Sequence, residues 1–322
     1  MNRPPTSGPP PEAPRLKSTG LPNDEPQAQL PSQNHPGVSG PPTDFMGGHP
    51  ILPEDMDIRD LPSNQLYEMN QNLMAESVST RPLIDQLTPM EVLRAEYENG
   101  SRTFVSQIDY LMNKGYRHIW RARGDGDCFY RSLAYAFVLN MLDAPQAERE
   151  IVVATALSQL QSCKPMLSQA GFEPIAYDMF YEAFEAVIQS VVSATEEYGL
   201  LTSDSLLRIF QDANNSNEIV AFLRLLTSAQ IRLNPDEYAA FIIDMEPTQF
   251  CNNHVEPLGK EADHIQVSAL ADAMQIRVQI AYLDGHKANE VDFIDVGNKN
   301  SKEPLLLLYR PGHYDILSRK VM

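Results

Sequence analysis

The chain has 322 residues, enough for one large domain or two modest ones, and 43% of them are hydrophobic, which allows a sizeable core. Its formal net charge is −18, which argues against binding to a nucleic-acid backbone, because such binding needs clustered Lys and Arg. An acidic surface suits a basic protein partner or simply keeps the protein in solution.

Cysteine content and apolar runs exclude several further classes of protein. The three cysteines, Cys128, Cys163 and Cys251, are few and odd in number, so we expect no disulfide framework and a reducing compartment. No apolar run reaches the roughly 18 residues of a membrane-spanning helix, so no membrane partner is expected. The N-terminus lacks the charged start and apolar run of a secretory signal. We therefore expect a cytoplasmic protein, with or without access to the nucleus.

The first 62 residues differ in composition from the rest of the chain. They hold 15 of the 25 prolines and show little apolar periodicity. This pattern predicts a disordered tail (1–62) with some polyproline II character, followed by a folded domain over 63–322. A solvated tail is the simpler interpretation, and a docking peptide for a proline-reading domain is the alternative.

The first half of the folded domain is predicted to be mainly helical. The pattern indicates a weak helix over Leu66–Ser77, then a broken helical region near 90–113 that starts at Pro89 with Thr88 as its N-cap. A short strand is expected at His118–Arg121. A helix follows from Cys128, because Phe129, Leu133 and Phe137 recur every four residues. Further helices are expected at about 145–162, 175–197, 202–212, 215–228 and 234–242, with Asp204 and Asn234 as caps.

The apolar period changes near residue 276. Before it, Pro247–Pro257 is predicted as a loop or short helix and Ile265–Met274 as a helix. From Ile276 to Tyr282 apolar and other residues alternate, which is typical of a strand. Further strands are expected at Val291–Asp295, Leu305–Tyr309 and Tyr314–Leu317. Helices followed by an antiparallel-type sheet predict the α+β class.

Cys128 lies in the segment Gly124-Asp125-Gly126-Asp127-Cys128, a glycine-bearing loop that delivers a cysteine to the start of a helix. The thiolate is the nucleophilic form of cysteine, and a helix N-terminus favours an anion. The glycines allow turns that bring amides together as an oxyanion hole. Asp125 and Asp127 place negative charge nearby, so we expect their side chains to turn away and hydrogen-bond the loop. The alternative is a buried cysteine at the start of a core helix.

His313 and Asp315 supply the other two groups of a candidate triad. On an extended segment, residues two apart project to the same side. Asp315 could then accept a hydrogen bond from Nδ1 of His313 and orient the ring, which would take the thiol proton. The alternative is a surface histidine beside an exposed aspartate on an edge strand.

A metal site is the weaker possibility in this sequence. Cys251, His254 and His264 have some of the spacing of metal ligands, but a structural zinc site usually needs a second close pair, and none is near. We expect no metal and no organic cofactor.

Four stretches occur in an order that is familiar from one family. They are Asp125-Gly126-Asp127-Cys128-Phe129-Tyr130-Arg131, Phe222-Leu223-Arg224-Leu225-Leu226-Thr227-Ser228, Val255-Glu256-Pro257 with Asp263-His264-Ile265, and Leu308-Tyr309-Arg310-Pro311-Gly312-His313-Tyr314-Asp315-Ile316-Leu317. In these stretches the chain resembles the otubains, a branch of the ovarian-tumour (OTU) class of cysteine deubiquitinases. The likeness runs from about residue 85 to 320 and does not include the tail.

The resemblance implies a papain-like α+β fold, with a helical lobe and a small, mostly antiparallel sheet. It implies a cysteine-type deubiquitinase that hydrolyses isopeptide bonds of ubiquitin chains with a preference among linkages. It places the nucleophile at Cys128, the base at His313 and the orienting acid at Asp315, and it marks Asp125 as the loop residue that organises the oxyanion site. One difference from the family is that Asp127 stands where otubains carry Asn, which adds a negative charge beside the nucleophile.

The implied partners are ubiquitin, polyubiquitin chains and ubiquitin-conjugating enzymes. The resemblance places a distal ubiquitin surface on the helices around 200–260 and the sheet. It assigns contacts with the proximal ubiquitin or a conjugating enzyme to the region near 90–113. The alternative function is a non-catalytic protein that binds ubiquitin or a conjugating enzyme and inhibits ubiquitin transfer. The intact Cys, His and Asp argue against a dead enzyme but are compatible with a second role.

Overall fold

The structure is a computed structural model that describes residues 81–287, 289–299 and 303–319. The predicted tail over 1–62 and the predicted weak helix Leu66–Ser77 lie outside these residues, as does the predicted domain boundary between 62 and 63.

Ten α-helices lie in the described part of the chain. In chain order they are α1 (Met90–Tyr97), α2 (Arg102–Asn113), α3 (Cys128–Asp143), α4 (Gln146–Gln169), α5 (Pro174–Gln189), α6 (Ser203–Gln211), α7 (Ala213–Leu233), α8 (Pro235–Tyr238), α9 (Pro247–Phe250) and α10 (His264–Ala273). A π-helical segment, Cys251–Val255, directly follows α9. None of these described helices is long and apolar enough to cross a membrane.

Six strands form one mixed sheet in the order β1-β2-β6-β5-β3-β4. They are β1 (Ile84–Pro89), β2 (His118–Ala122), β3 (Arg277–Tyr282), β4 (Asp292–Gly297), β5 (Leu305–Arg310) and β6 (His313–Ser318). Only the β3–β5 pair among these neighbours is parallel, so the predicted mostly antiparallel sheet is confirmed. In the β2–β6 pair Trp120 lies opposite Ile316, so the end of β2 lies beside the start of β6.

The sheet is covered on both faces. Leu305, Leu307 and Ile316 belong to the main core on the face that α3 covers, whereas Leu308 and Leu317 pack with α1 and α2 on the other face. The alternation along β5 and β6 follows from the two-residue period of a strand. Helix α3 lies between the sheet and helices α4, α6 and α7, and 12 of its 16 residues are buried. Its position holds the first residue of the helix, Cys128, against the sheet.

The start of the described chain differs from prediction. Thr88 is not the N-cap of α1: it lies in β1, where its hydroxyl donates to the Gln86 carbonyl, and Pro89 precedes the helix. Strand β1 was not predicted because it is an edge strand with polar residues in its middle, so it lacks an alternating apolar pattern. The region near 90–113 forms two helices, and Ser101 caps the second by accepting from the Phe104 amide.

Several helix boundaries were also wrong. Helix α4 continues through Pro165 to Gln169, well past the predicted end at 162. Proline removes one helical hydrogen bond, but the buried residues Leu160, Cys163 and Leu167 anchor the helix on both sides of the exposed Pro165. Helix α5 ends at Gln189 instead of 197, and α8 is a single turn instead of the predicted 234–242.

Of the two predicted caps, Asn234 lies at the N-cap position of α8, without a side-chain hydrogen bond to that helix, and Asp204 is not a cap. Helix α6 is capped by Thr202, which forms a capping box with Ser205, so the prediction of Asp204 was wrong. Asn234 precedes α8, but its side-chain amide donates backwards to the Gln230 carbonyl at the end of α7.

Candidate active site

Cys128 is the first residue of α3 and follows the loop that leaves β2. Its side chain is only 4% exposed. Gly126 has φ of +83°, a left-handed conformation that glycine adopts without strain and that turns the chain into the helix. The sulfur therefore lies where the unpaired amides and the dipole of a long, buried helix favour an anion.

His313 and Asp315 are the first and third residues of β6, and they are 2% and 0% exposed. The ring nitrogen Nε2 of His313 lies 3.0 Å from Oδ1 of Asp315. The alternative of a surface pair on an edge strand is therefore wrong, because β6 is an interior strand between β2 and β5. The predicted proximity of the two side chains is what the structure shows.

The prediction that Nδ1 of His313 faces Asp315 was wrong, because Nε2 makes that contact. Nδ1 is buried and has no hydrogen-bond partner among the described residues. Cys128 lies close enough to His313 to raise the pKa of the ring. Nδ1 is therefore the ring nitrogen available to the thiol.

The carboxylate of Asp315 is held on both of its oxygens. Oδ1 accepts from the Ala122 amide at 3.0 Å, and Oδ2 accepts from Nη2 and Nε of Arg310 at 2.6 and 3.1 Å. Burial by itself raises the pKa of Asp315, but the positive charges of Arg310 and His313 outweigh it and hold that pKa well below its ordinary value. Asp315 is therefore a fixed, charged acceptor for the imidazole.

The ring of His313 favours its protonated form. Burial lowers its pKa, but the negative charges of Asp315 and Cys128 outweigh burial and raise the pKa to about 9. A protonated ring beside a thiolate is the ion pair that thiol-based acyl transfer uses.

Asp125 hydrogen-bonds the loop, as its sequence context predicted. Its two oxygens accept from Nη1 of the buried Arg131 at 2.9 Å, and Oδ1 also accepts from the Asp127 amide at 3.0 Å. Arg131 lies in α3, so this pair ties the loop to the helix that begins with Cys128. The carboxylate shapes the loop and has its charge balanced by Arg131.

Asp127 likewise faces an arginine. Its carboxylate forms a buried ion pair with Arg224 of α7. The negative charge that the sequence places beside the nucleophile is therefore balanced inside the protein.

No three His, Cys, Asp or Glu side chains of the described residues are grouped so as to hold a metal ion. Of the residues with metal-like spacing, Cys251 is buried with its thiol directed at the Ser228 carbonyl, and His254 packs on the ring of Phe250. The described residues bring Cys128, His313 and Asp315 together, and they form no cluster that could hold a metal ion.

Comparison with known proteins identifies the family. The family model described as peptidase C65, otubain, matches residues 76–319. The chain belongs to the otubain family. The predicted α+β fold of the otubain type is thus confirmed.

Three relatives illustrate how far the similarity extends. This otubain is 37% identical over 232 residues to the human protein "Ubiquitin thioesterase OTUB2", a match that covers 71% of this chain and 91% of that protein. It is 33% identical over 260 residues to "Ubiquitin thioesterase otubain-like" of Caenorhabditis elegans, with 79% and 88% covered. It is 32% identical over 270 residues to "OVARIAN TUMOR DOMAIN-containing deubiquitinating enzyme 1" of Arabidopsis thaliana, with 79% and 86% covered.

Two solved structures have a similar fold. One, described as "h/ceOTUB1-ubiquitin aldehyde-UBC13~Ub", has a TM-score of 0.67 and 29% identity, and the match covers 80% of this chain and 98% of that chain. The other, a "ceOTUB1 ubiquitin aldehyde UBC13~Ub complex", has a TM-score of 0.66 and 32% identity, with 78% and 99% covered.

Sequence reasoning did not assign roles to the three buried arginines of this otubain's site, Arg131, Arg224 and Arg310. Each holds one of the aspartates near the reacting groups. The sequence did contain a signal that Arg224 has a buried partner, since Arg224 is the one charged residue in the apolar run Ile219–Leu226. A buried charge is rare unless it is paired. The partners themselves come from distant segments, so the sequence alone could not name them.

Proposed function

We infer that this otubain is a cysteine-type deubiquitinase that hydrolyses the isopeptide bonds of ubiquitin chains. One observation carries this inference: a cysteine at a helix N-terminus lies beside a buried histidine that a charged, buried aspartate orients. The similarity to proteins named ubiquitin thioesterase and deubiquitinating enzyme supports ubiquitin as the substrate.

The thiolate of Cys128 attacks the carbonyl carbon of the C-terminal glycine of ubiquitin and forms a C–S bond. Protonated His313 then gives its Nδ1 proton to the lysine amine as the C–N bond breaks, which leaves a thioester on Cys128. Water attacks the thioester while Nδ1 takes its proton, and the C–S bond breaks to release the ubiquitin carboxylate. Asp315 keeps the ring oriented through Nε2 in every step.

The loop before α3 supplies the oxyanion donors in this proposal. The Asp127 amide is already bonded to Asp125, so the donors are the neighbouring amides at the start of the helix, beginning with that of Cys128. Each donor of this kind stabilises the transition state by roughly 3 kcal/mol. Asp125 acts here by holding the loop in its turn, through the Asp127 amide and Arg131.

Removal of the sulfur tests the assignment. We expect Cys128→Ala to lose cleavage of polyubiquitin by at least about 1,000-fold, because no covalent intermediate can form, while it still binds ubiquitin. Gel assays of chain cleavage and titration calorimetry with ubiquitin measure the two properties. The matched control is Cys163→Ala, which removes a buried thiol of α4 that donates to the Gln159 carbonyl. This variant should cleave like the wild type. Residual turnover in Cys128→Ala comparable to the control would refute the role of Cys128.

A second function is supported by the solved relatives. They contain conjugating enzymes charged with ubiquitin, named in their descriptions as UBC13~Ub and UBCH5B~Ub. We propose that this otubain also binds ubiquitin-conjugating enzymes and slows ubiquitin transfer. The test is an assay of chain synthesis with the Cys128→Ala protein present: inhibition that survives the substitution supports this second function, and its loss refutes it.

A further inference from the structure

One oxygen of Asp127 gathers three hydrogen-bond donors. Oδ1 accepts from Nε of Arg224 at 2.8 Å, from Nη2 of the same guanidinium, and from the Gly259 amide at 3.0 Å. Among the described residues, Oδ2 accepts only from the Gly259 amide, at 3.1 Å. Asp127 is 6% exposed and Arg224 is 0% exposed, so the bonds between them are buried, whereas the bonds from the Gly259 amide are partly buried.

Arg224 joins the catalytic loop to two other segments. Its Nη1 donates to the Val255 carbonyl at 2.8 Å, at the end of the π-helical segment. Its Nη2 donates to the Gly126 carbonyl at 3.0 Å and to the Lys260 carbonyl at 2.6 Å. The guanidinium also lies over the ring of Tyr130, 4.3 Å from its centroid. A single buried side chain of α7 thus holds the loop before Cys128, segment 255–260 and the first turn of α3.

The loop and segment 255–260 approach each other without room for another atom. A Cβ added to Gly126 would lie 2.3 Å from the carbonyl oxygen of Gly259. The Asp127 carbonyl in turn accepts the Arg131 amide, which is the first bond of α3. The side chain of Asp127 and the backbone on either side of it therefore define where α3 starts, and so where the sulfur of Cys128 lies.

We propose that Asp127 is a positioning residue for the hydrolytic reaction, and that its Oδ1 atom, bound by Arg224 and the Gly259 amide, holds Cys128 in line with His313. This inference rests on the proposed role of Cys128 as nucleophile. The essential feature is the place of one oxygen, and the negative charge that it carries is secondary. A small displacement of a reacting group lowers a rate steeply, by up to about 100-fold for 1 Å.

Two substitutions separate the place of the oxygen from its charge. Asp127→Asn keeps a carbonyl oxygen at the position of Oδ1 and removes the charge, so we expect kcat within about threefold of the wild type. Asp127→Glu keeps the charge and moves the oxygens by one methylene, so we expect kcat to fall at least tenfold with KM changed less than about threefold. A residue that only stabilised the fold would not produce this split between kcat and KM.

The experiment measures kcat and KM for cleavage of a ubiquitin chain, with thermal unfolding as the test that each variant folds. Arg224→Lys keeps a charge but not the fork of donors, and it should also lose at least tenfold in kcat, so it replaces Asp127→Glu if that variant does not fold. The matched control is Asp178 of α5, which forms an ion pair with Lys164 of α4, outside the segments assigned to ubiquitin contacts. Asp178→Asn and Asp178→Glu should both cleave like the wild type.

The outcomes distinguish this inference from the proposed function. A wild type that does not cleave ubiquitin chains contradicts both. If the wild type is active and Cys128→Ala is not, a folded Asp127→Glu or Arg224→Lys with wild-type kcat overturns the positioning role alone. The same role is overturned if Asp127→Asn is as impaired as Asp127→Glu, since the charge would then be the essential property.

Discussion

At the scale of single residues, the site is a balance of buried charges. Asp315, His313 and Cys128 lie in the interior, where an unpaired charge is strongly destabilised. Arg310 offsets the charge of Asp315. The negative charges of Asp315 and Cys128 together raise the pKa of His313 to about 9. In the proposed reaction, the acid that protonates the leaving amine is therefore available across the neutral range.

This balance predicts the pH dependence of an Asp315→Asn variant. Burial lowers the pKa of His313 and the charge of Asp315 raises it, so removal of that charge lets burial dominate and lowers the pKa. In the wild type we expect the alkaline limb of the kcat/KM profile near pH 9, where the imidazolium loses its proton, and in the variant this limb should move to lower pH. We also expect kcat to fall at least about tenfold, because an amide has one acceptor oxygen and cannot accept from both His313 and Arg310 as the carboxylate does.

Cleavage rates of a ubiquitin chain between pH 5 and 10 check this prediction. Asp178→Asn, which removes the same charge from a half-exposed ion pair with Lys164, serves as the control and should leave the profile unchanged. An alkaline limb in Asp315→Asn that coincides with the wild type would show that Asp315 does not determine the protonation of His313.

At the scale of elements, the short loop between β2 and α3 depends on two glycine properties. Gly126 needs its left-handed backbone, with φ of +83°, and it also needs the absence of a side chain, because Gly259 lies against it. Gly171, in the connection between α4 and α5, has φ of +93° but no atom of the described residues within 4 Å of an added Cβ. The two positions share the backbone requirement and differ only in packing.

We therefore expect Gly171→Ala to lose about 1–2 kcal/mol of unfolding free energy, the cost of a left-handed alanine, and to keep full activity. Gly126→Ala carries the same cost together with a backbone clash, so it should lose more stability and at least tenfold in cleavage rate. Urea unfolding and a chain-cleavage assay measure both variants. Equal stability and equal activity of the two would mean that the approach of Gly259 to the loop is unimportant.

The elements also show where local sequence is sufficient. Strands β3, β5 and β6 and helix α10 have strong apolar periods and were predicted close to their observed bounds, and α3 begins at Cys128 as predicted. Edge strand β1 lacks such a period, and α4 passes through a proline because buried residues on both sides of it outweigh the lost hydrogen bond. Local propensity fails at these two places because tertiary packing decides them.

At the scale of the whole molecule, the strand order brings the two ends of the site together. Strand β2 leads into the cysteine loop and β6 begins with the histidine, and the two strands are antiparallel neighbours. The end of one therefore meets the start of the other, and the Ala122 amide bonds directly to Asp315.

The same architecture makes one thiol of three different from the others. All three cysteines are buried, but burial raises the pKa of Cys163 to about 12 and also raises that of Cys251. Cys128 alone of these three lies beside His313. A ubiquitin with a thiol-reactive group at its C-terminus should therefore form one adduct, at Cys128.

Mass spectrometry of the labelled, digested protein locates the adduct. The Cys128→Ala protein is the control and should remain unlabelled, whereas His313→Ala should label at least about tenfold more slowly because the thiolate loses its protonated partner. Adducts at Cys163 or Cys251 at a comparable rate would contradict the assignment of a single reactive thiol.

The amino-acid sequence was sufficient for the class of fold and for selecting the three groups proposed to react. Helical and alternating periods, a glycine loop before Cys128 and the two-residue step from His313 to Asp315 are local patterns, and local patterns suffice for these inferences. The sequence could not show which nitrogen of His313 faces Asp315 or which arginine balances each aspartate, and the folded structure shows both. Those pairings depend on strand register and on contacts between α7 and the loop before α3. The contacts join segments that are far apart in the chain, so they leave no local pattern.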